Sequence, residues 1–155
     1  MIGIKKVMVP VDFSRESMLA AKFAVSIAME YGAELFVVHV VRPMHPTVRT
    51  SVPDFEALQA TIMKSAQEDL DKVIPREIKK SLKKVNEILL EGEPHIEIPE
   101  KAKELGVEML VIATHGRTGL SHVLLGSVAE RVIRHAPCPV LVVRNPMDKF
   151  VYGWQ

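Results

Sequence analysis

Apolar positions along the chain follow two alternating patterns. Short, nearly continuous apolar runs occupy residues 6–11, 34–41, 85–90, 109–113 and 140–143, and are rich in Val, Ile and Leu. Such runs read as strands buried on both faces. Between them, apolar residues recur at helical spacing. Met18, Ala21, Val25, Ala28 and Met29 mark a helix over residues 15–31. Phe55, Leu58, Ile62, Ala66, Leu70 and Val73 mark another over 54–74, and Ile96, Ile98, Ala102 and Leu105 a third. The last predicted helix spans 127–135.

Local punctuation sharpens these boundaries. Ser14 is a good N-cap for the first helix, and Gly32 and Gly106 stop the helices they follow. Residues 43–53 hold three prolines among His45, Thr47, Thr50 and Ser51, and are expected to form a loop. Pro75 interrupts the second helix, with a short helical piece expected to continue to residue 83. Gly92 and Pro94 form a turn, and Pro99 fits a helix only within its first turn.

Strands alternating with helices predict an α/β domain: an open parallel sheet of five strands, covered by helices on both faces. At 155 residues the chain is long enough for one domain with a sizeable core. The net charge of +1 exerts no global pull toward nucleic acid or an anionic membrane. Its basic cluster, Arg76, Lys79, Lys80, Lys83 and Lys84, reads as a solvated helix end without the interleaved aromatics of a single-strand binder. The one cysteine, Cys138, lies between two prolines and forms no internal disulfide, which fits a reducing compartment. The N-terminal segment lacks the long apolar region of a signal peptide, and no run approaches the ~18 apolar residues of a membrane helix. The expectation is a cytoplasmic protein with neither nucleic-acid nor membrane partners.

Candidate chemistry concentrates after the fourth strand, in Ala113-Thr114-His115-Gly116-Arg117-Thr118-Gly119, and resumes at Gly126-Ser127-Val128. A strand that ends in a Gly/Thr/Ser-rich loop and feeds a helix N-terminus can hold an anion on unpaired N–H groups. The hydroxyls of Thr114, Thr118 and Ser127 add donors, and Arg117 adds charge. The alternative is that Gly116 and Gly119 shape a loop and Ser127 caps a helix. Asp12, at the end of the first strand, either caps the next helix or accepts a hydrogen bond from a nucleoside. His39 reads as an interior histidine. Several chemistries are missing: no P-loop, no G-x-G-x-x-G after the first strand and no G-x-S-x-G elbow occur. Histidines at 39, 45, 95, 115, 122 and 135 show no metal-ligand spacing, so no protein-only metal site is expected.

The loop resembles the G-x-x-G-x9-G-[ST] motif of the universal stress protein family, through Ala113, Gly116, nine residues from Arg117 to Leu125, and Gly126-Ser127. Val9-Pro10-Val11-Asp12-Phe13-Ser14, His39-Val40, Gly92-Glu93-Pro94 and Pro137-Cys138-Pro139 with the apolar run behind it also resemble that family, in the right order over residues 4–144. Ala113 stands where the motif begins with glycine. The resemblance implies a Rossmann-like sheet in the order 3-2-1-4-5, with residues 1–145 as the nucleotide-binding domain and 146–155 as a tail. It implies an adenine nucleotide, ATP, bound by Pro10, Val11, Asp12, Val40, residues 113–119 and residues 126–128, with Mg²⁺ or Mn²⁺ carried by its phosphates. It further implies a homodimer through Val140, Leu141, Val142 and Val143 on the fifth strand, which lies at the sheet edge. The tail carries Phe150, Tyr152 and Trp154 as candidate contacts for a second subunit or another protein.

On these grounds the chain reads as a nucleotide-responsive dimeric module of a stress response with no dedicated catalysis. The alternatives are a dimeric interaction protein that binds no nucleotide, kept open by Ala113, and a slow ATPase.

Overall fold

The computed structural model describes residues 3–114 and 125–144. Five strands, β1 (Lys6–Pro10), β2 (Glu34–Val41), β3 (Lys84–Glu91), β4 (Met109–Ala113) and β5 (Val140–Val143), form one sheet in the order β3-β2-β1-β4-β5. Every pairing is parallel. The helices are α1 (Arg15–Tyr31), α2 (Pro46–Ser51), α3 (Phe55–Leu70), α4 (Arg76–Ser81), α5 (Pro94–Leu105) and α6 (Ser127–His135). The predicted order and class of the sheet are therefore those observed.

Side chains alternate across each strand; β1, β2 and β4 are buried on both faces, whereas the edge strands β3 and β5 are only partly buried, short of the full burial their apolar runs predict. Val7, Val9, Leu35, Val37 and Val111 pack on one face with Leu19, Ala21, Val25 and Ala28 of α1 and Leu70 of α3. Met8, Phe36, Val38, Leu110 and Ile112 pack on the other with Ile98 and Ala102 of α5 and Ala129 and Val132 of α6. Each fully buried Val, Leu, Ile, Met or Phe side chain among them contributes about 1.5–3 kcal/mol by leaving water, and each alanine less. Cys138 is half-buried beside the second of these clusters, and desolvation pushes its thiol above the ordinary value of 9.0.

Helix boundaries follow local chemistry. Ser14 Oγ accepts from the Ser17 amide at 3.2 Å and caps α1. Gly32 (φ 59°) and Gly106 (φ 64°) close α1 and α5 in the left-handed region that favours glycine.

Three local expectations need correction. Residues 43–53 are not wholly loop: α2 begins at Pro46, whose ring suits the first helical position, and His45 Nδ1 accepts from the Thr47 amide. The second helix ends at Leu70, short of residue 74, with Val73 and Ile74 buried beyond it. Pro99 lies in the second turn of α5, as its sixth residue, where its missing N–H deprives the His95 carbonyl of a helical donor. The proline itself is buried, and that burial works against the cost of the lost bond.

Candidate functional site

β1 and β4 are neighbours, paired Val7 with Met109 and Met8 with Leu110. From β1 the chain crosses to β2, and from β4 it crosses the other way to β5. A crevice opens beyond the carboxyl ends of strands at such a switch point. Here it has a volume of about 580 Å³.

Pro10, Val11, Asp12, Val40, Ala113, Thr114, Gly126, Ser127 and Val128 all line it. They come from the ends of β1, β2 and β4 and from the start of α6. His115, Gly116, Arg117, Thr118 and Gly119 lie outside the described residues, as do Phe150, Tyr152 and Trp154.

Each wall has a local cause. Thr114 is buried, and its amide donates to the Val143 carbonyl at 3.1 Å. Gly126 is the N-cap of α6, with extended backbone (φ −67°, ψ 151°). Ser127 is therefore the first helical residue and not the cap, because its own backbone is already helical; no side-chain cap bond is made at this helix. The amides of Ser127, Val128 and Ala129 precede the first ladder bond of α6, from Glu130 N to Gly126 O at 2.9 Å. These are the donors that a helix N-terminus offers an anion. Ala113 closes β4 opposite Val143 and is 8% exposed. Among the described non-glycine residues only Phe13 and Asp54 have positive φ, so the backbone at Ala113 requires no glycine.

Asp12 is tied into the turn between β1 and α1. Its amide donates to Ser17 Oγ at 3.2 Å, and its Oδ1 accepts from the Ser14 amide at 3.0 Å and from the Ser14 hydroxyl. The carboxylate thus braces the capping residue while lining the crevice. Nearby, His39 Nδ1 lies 2.7 Å from the Val11 carbonyl oxygen.

Sequence reasoning missed part of the lining. Phe13, His39, Arg42, Ile62, Ser65, Ala66, Asp69, Pro94 and Ile98 also border the crevice. Ile62, Ser65, Ala66 and Asp69 are spaced i, i+3, i+4, i+7, which puts them on one face of α3. Ile62 and Ala66, which mark the helical spacing of this segment, are half-buried beside the crevice, because α3 sinks only Leu70 into the core. The spacing was a usable signal for the shared face. Among the described residues, no three His, Cys, Asp or Glu side chains cluster to hold a metal, and no helix is long and apolar enough to cross a membrane.

The strand order and a crevice at the strand ends define an open, Rossmann-like α/β protein. The model of the universal stress protein family matches residues 3–144, and the chain belongs to that family. It is 39% identical to universal stress protein MJ0531 of Methanocaldococcus jannaschii, over 92% of this chain and 83% of that one. It is 33% identical to universal stress protein YxiE of Bacillus subtilis, over 90% and 98% of the two chains. Among solved structures, MJ0577 of Methanocaldococcus jannaschii superposes with a TM-score of 0.81 at 29% identity, covering 95% of this chain and 100% of that one. The Archaeoglobus fulgidus universal stress protein in complex with dAMP superposes at 0.62 and 25% identity, covering 91% and 98%.

Proposed function

We propose that this universal stress protein binds an adenine nucleotide, ATP, in the β1–β4 crevice and works as a nucleotide-responsive dimeric module of a cytoplasmic stress response. The observation that carries the reading is the convergence of nine residues that the resemblance implies, from three strand ends and one helix start, on one crevice of about 580 Å³. That volume falls within the range of about 300–1,000 Å³ common for small-molecule sites. The start of α6 would supply phosphate donors, and Asp12 and Val40, which the resemblance assigns to the nucleoside, line the same crevice. A relative solved with dAMP supports the same ligand class. Mg²⁺ or Mn²⁺ would be held through the phosphates and water.

Dimerisation through β5 is part of the proposal. β5 is a sheet edge, and Leu141 on it is 37% exposed. An apolar edge is an aggregation hazard unless covered, and pairing with the same strand of a second copy covers it. The second reading, an interaction protein that binds no nucleotide, is favoured by one observation, the Ala113 methyl at the crevice wall. Equilibrium binding of ATP to protein stripped of co-purified ligand, with and without Mg²⁺ or Mn²⁺, separates the two. ATP turnover in the same samples should be slow; rates near ~10 s⁻¹ would make the protein an enzyme.

A further inference from the structure

Phe13 has φ 64°, in the left-handed region that bulky residues rarely adopt. It is flanked by Asp12 and Ser14, the hydrogen-bonded pair of the same turn. Strained residues persist where their surroundings over-determine them, and they cluster at ligand clamps. What faces Phe13 is His39: the two ring centroids are 4.3 Å apart with planes tilted by 35°. His39 in turn lies 2.7 Å from the Val11 carbonyl oxygen through Nδ1. A carbonyl oxygen only accepts, so Nδ1 carries the proton and donates. The neutral imidazole is therefore the Nδ1–H tautomer.

These contacts close on one turn. The Val11 amide donates to the Val38 carbonyl at 2.8 Å, and its carbonyl accepts from His39. The Asp12 amide donates to Ser17 Oγ. Phe13, between the fixed ends, packs its ring on the histidine that holds Val11. Both rings border the crevice.

We propose that Phe13 and His39 form a clamp that holds residues 11–14 in a strained turn and so positions Asp12 for the ligand. Both are positioning residues, acting on the ligand through Asp12. The effect on binding rests on the nucleotide reading above; the tautomer and the turn geometry do not.

The test combines spectroscopy with two substitutions at His39 and one at Phe13. Long-range ¹H–¹⁵N spectra of the ligand-free protein should show His39 protonated at Nδ1. His39→Asn keeps an amide donor near the Nδ1 position but loses the ring that Phe13 packs on, so it should weaken ATP binding about threefold, whereas His39→Leu, which loses the donor as well, should weaken it about tenfold. Phe13→Gly adopts the positive φ without strain, so it should melt as a folded protein yet bind ATP about tenfold more weakly through a loosened turn. An Nε2–H tautomer overturns the clamp. So do His39→Leu and Phe13→Gly variants that bind ATP as the parent does, or a His39→Asn variant as weak as His39→Leu. If the parent binds no ATP, the nucleotide reading fails, and the tautomer in the same sample decides the clamp.

Discussion

The Gly126 amide donates to the Thr114 carbonyl at 2.6 Å, so the residue after β4 and the N-cap of α6 meet at one hydrogen bond. This joins the end of β4 to the start of α6, and both residues line the crevice. The amides that open α6 are thereby held beside the end of β4.

Gly126→Val should abolish ATP binding and leave the fold intact. The backbone at Gly126 is extended, which valine tolerates, and the amide bond to Thr114 is retained. The lost binding comes from side-chain bulk in the crevice. Ser127→Ala should leave the melting temperature nearly unchanged, since Ser127 makes no cap bond. It should weaken ATP binding by about 1 kcal/mol through the lost hydroxyl. Calorimetric titration beside thermal melts checks both; unchanged ATP affinity in folded Gly126→Val contradicts the assignment.

Ala113→Gly should preserve or tighten ATP binding while destabilising the fold by roughly 0.5–1 kcal/mol, the usual cost of glycine inside a strand. Ala113 closes β4 with no positive φ, so only its methyl distinguishes it from the motif glycine. Affinity and denaturant midpoint, measured together, report the two effects separately. Much weaker binding would make the methyl a favourable contact.

Acid should weaken the sheet near Glu34. Lys84 and Asn86 on β3 donate to its carboxylate at 2.8 and 2.7 Å and hold its pKa below the ordinary 4.5. A carboxyl lowered on folding adds stability that is present above the unfolded value and lost as pH falls through the folded one. The melting temperature of the parent should therefore exceed that of Glu34→Gln at neutral pH, and the gap should close below pH 4.5. A gap independent of pH contradicts this.

The dimer has its own test. Leu141→Asp places a charge on the exposed β5 edge and should shift a dimer to monomer in sedimentation. A parent chain that is monomeric at micromolar concentration refutes the dimer. A chain ending at Arg144 that is as dimeric and stable as the parent shows that the tail is not a clasp between subunits.

Much of this fold is legible because its signals are local. The apolar runs of β2, β4 and β5 and the caps at Ser14, Gly32 and Gly106 depend on neighbouring residues alone. The nine described crevice residues were legible from motif and topology together. The α3 wall was not, because Ile62 and Ala66 carry the same spacing whether a helix face meets a core or a crevice. Phe13 was not either: its positive φ and its contact with His39, 26 residues away in sequence, are encoded by no local pattern. The short helix α2 was hidden by the same prolines that read as loop, although Pro46 sits where a helix accepts one.

The β1–β4 crevice is proposed as an adenine-nucleotide site. The most direct measurement is equilibrium binding of ATP to ligand-stripped protein, by calorimetry, with the Gly126→Val variant alongside. Saturable binding by the parent at one site per chain, and none by the variant, is the expected result. The absence of saturable binding by the parent up to ~1 mM ATP, an affinity weaker than about −4 kcal/mol, would contradict it.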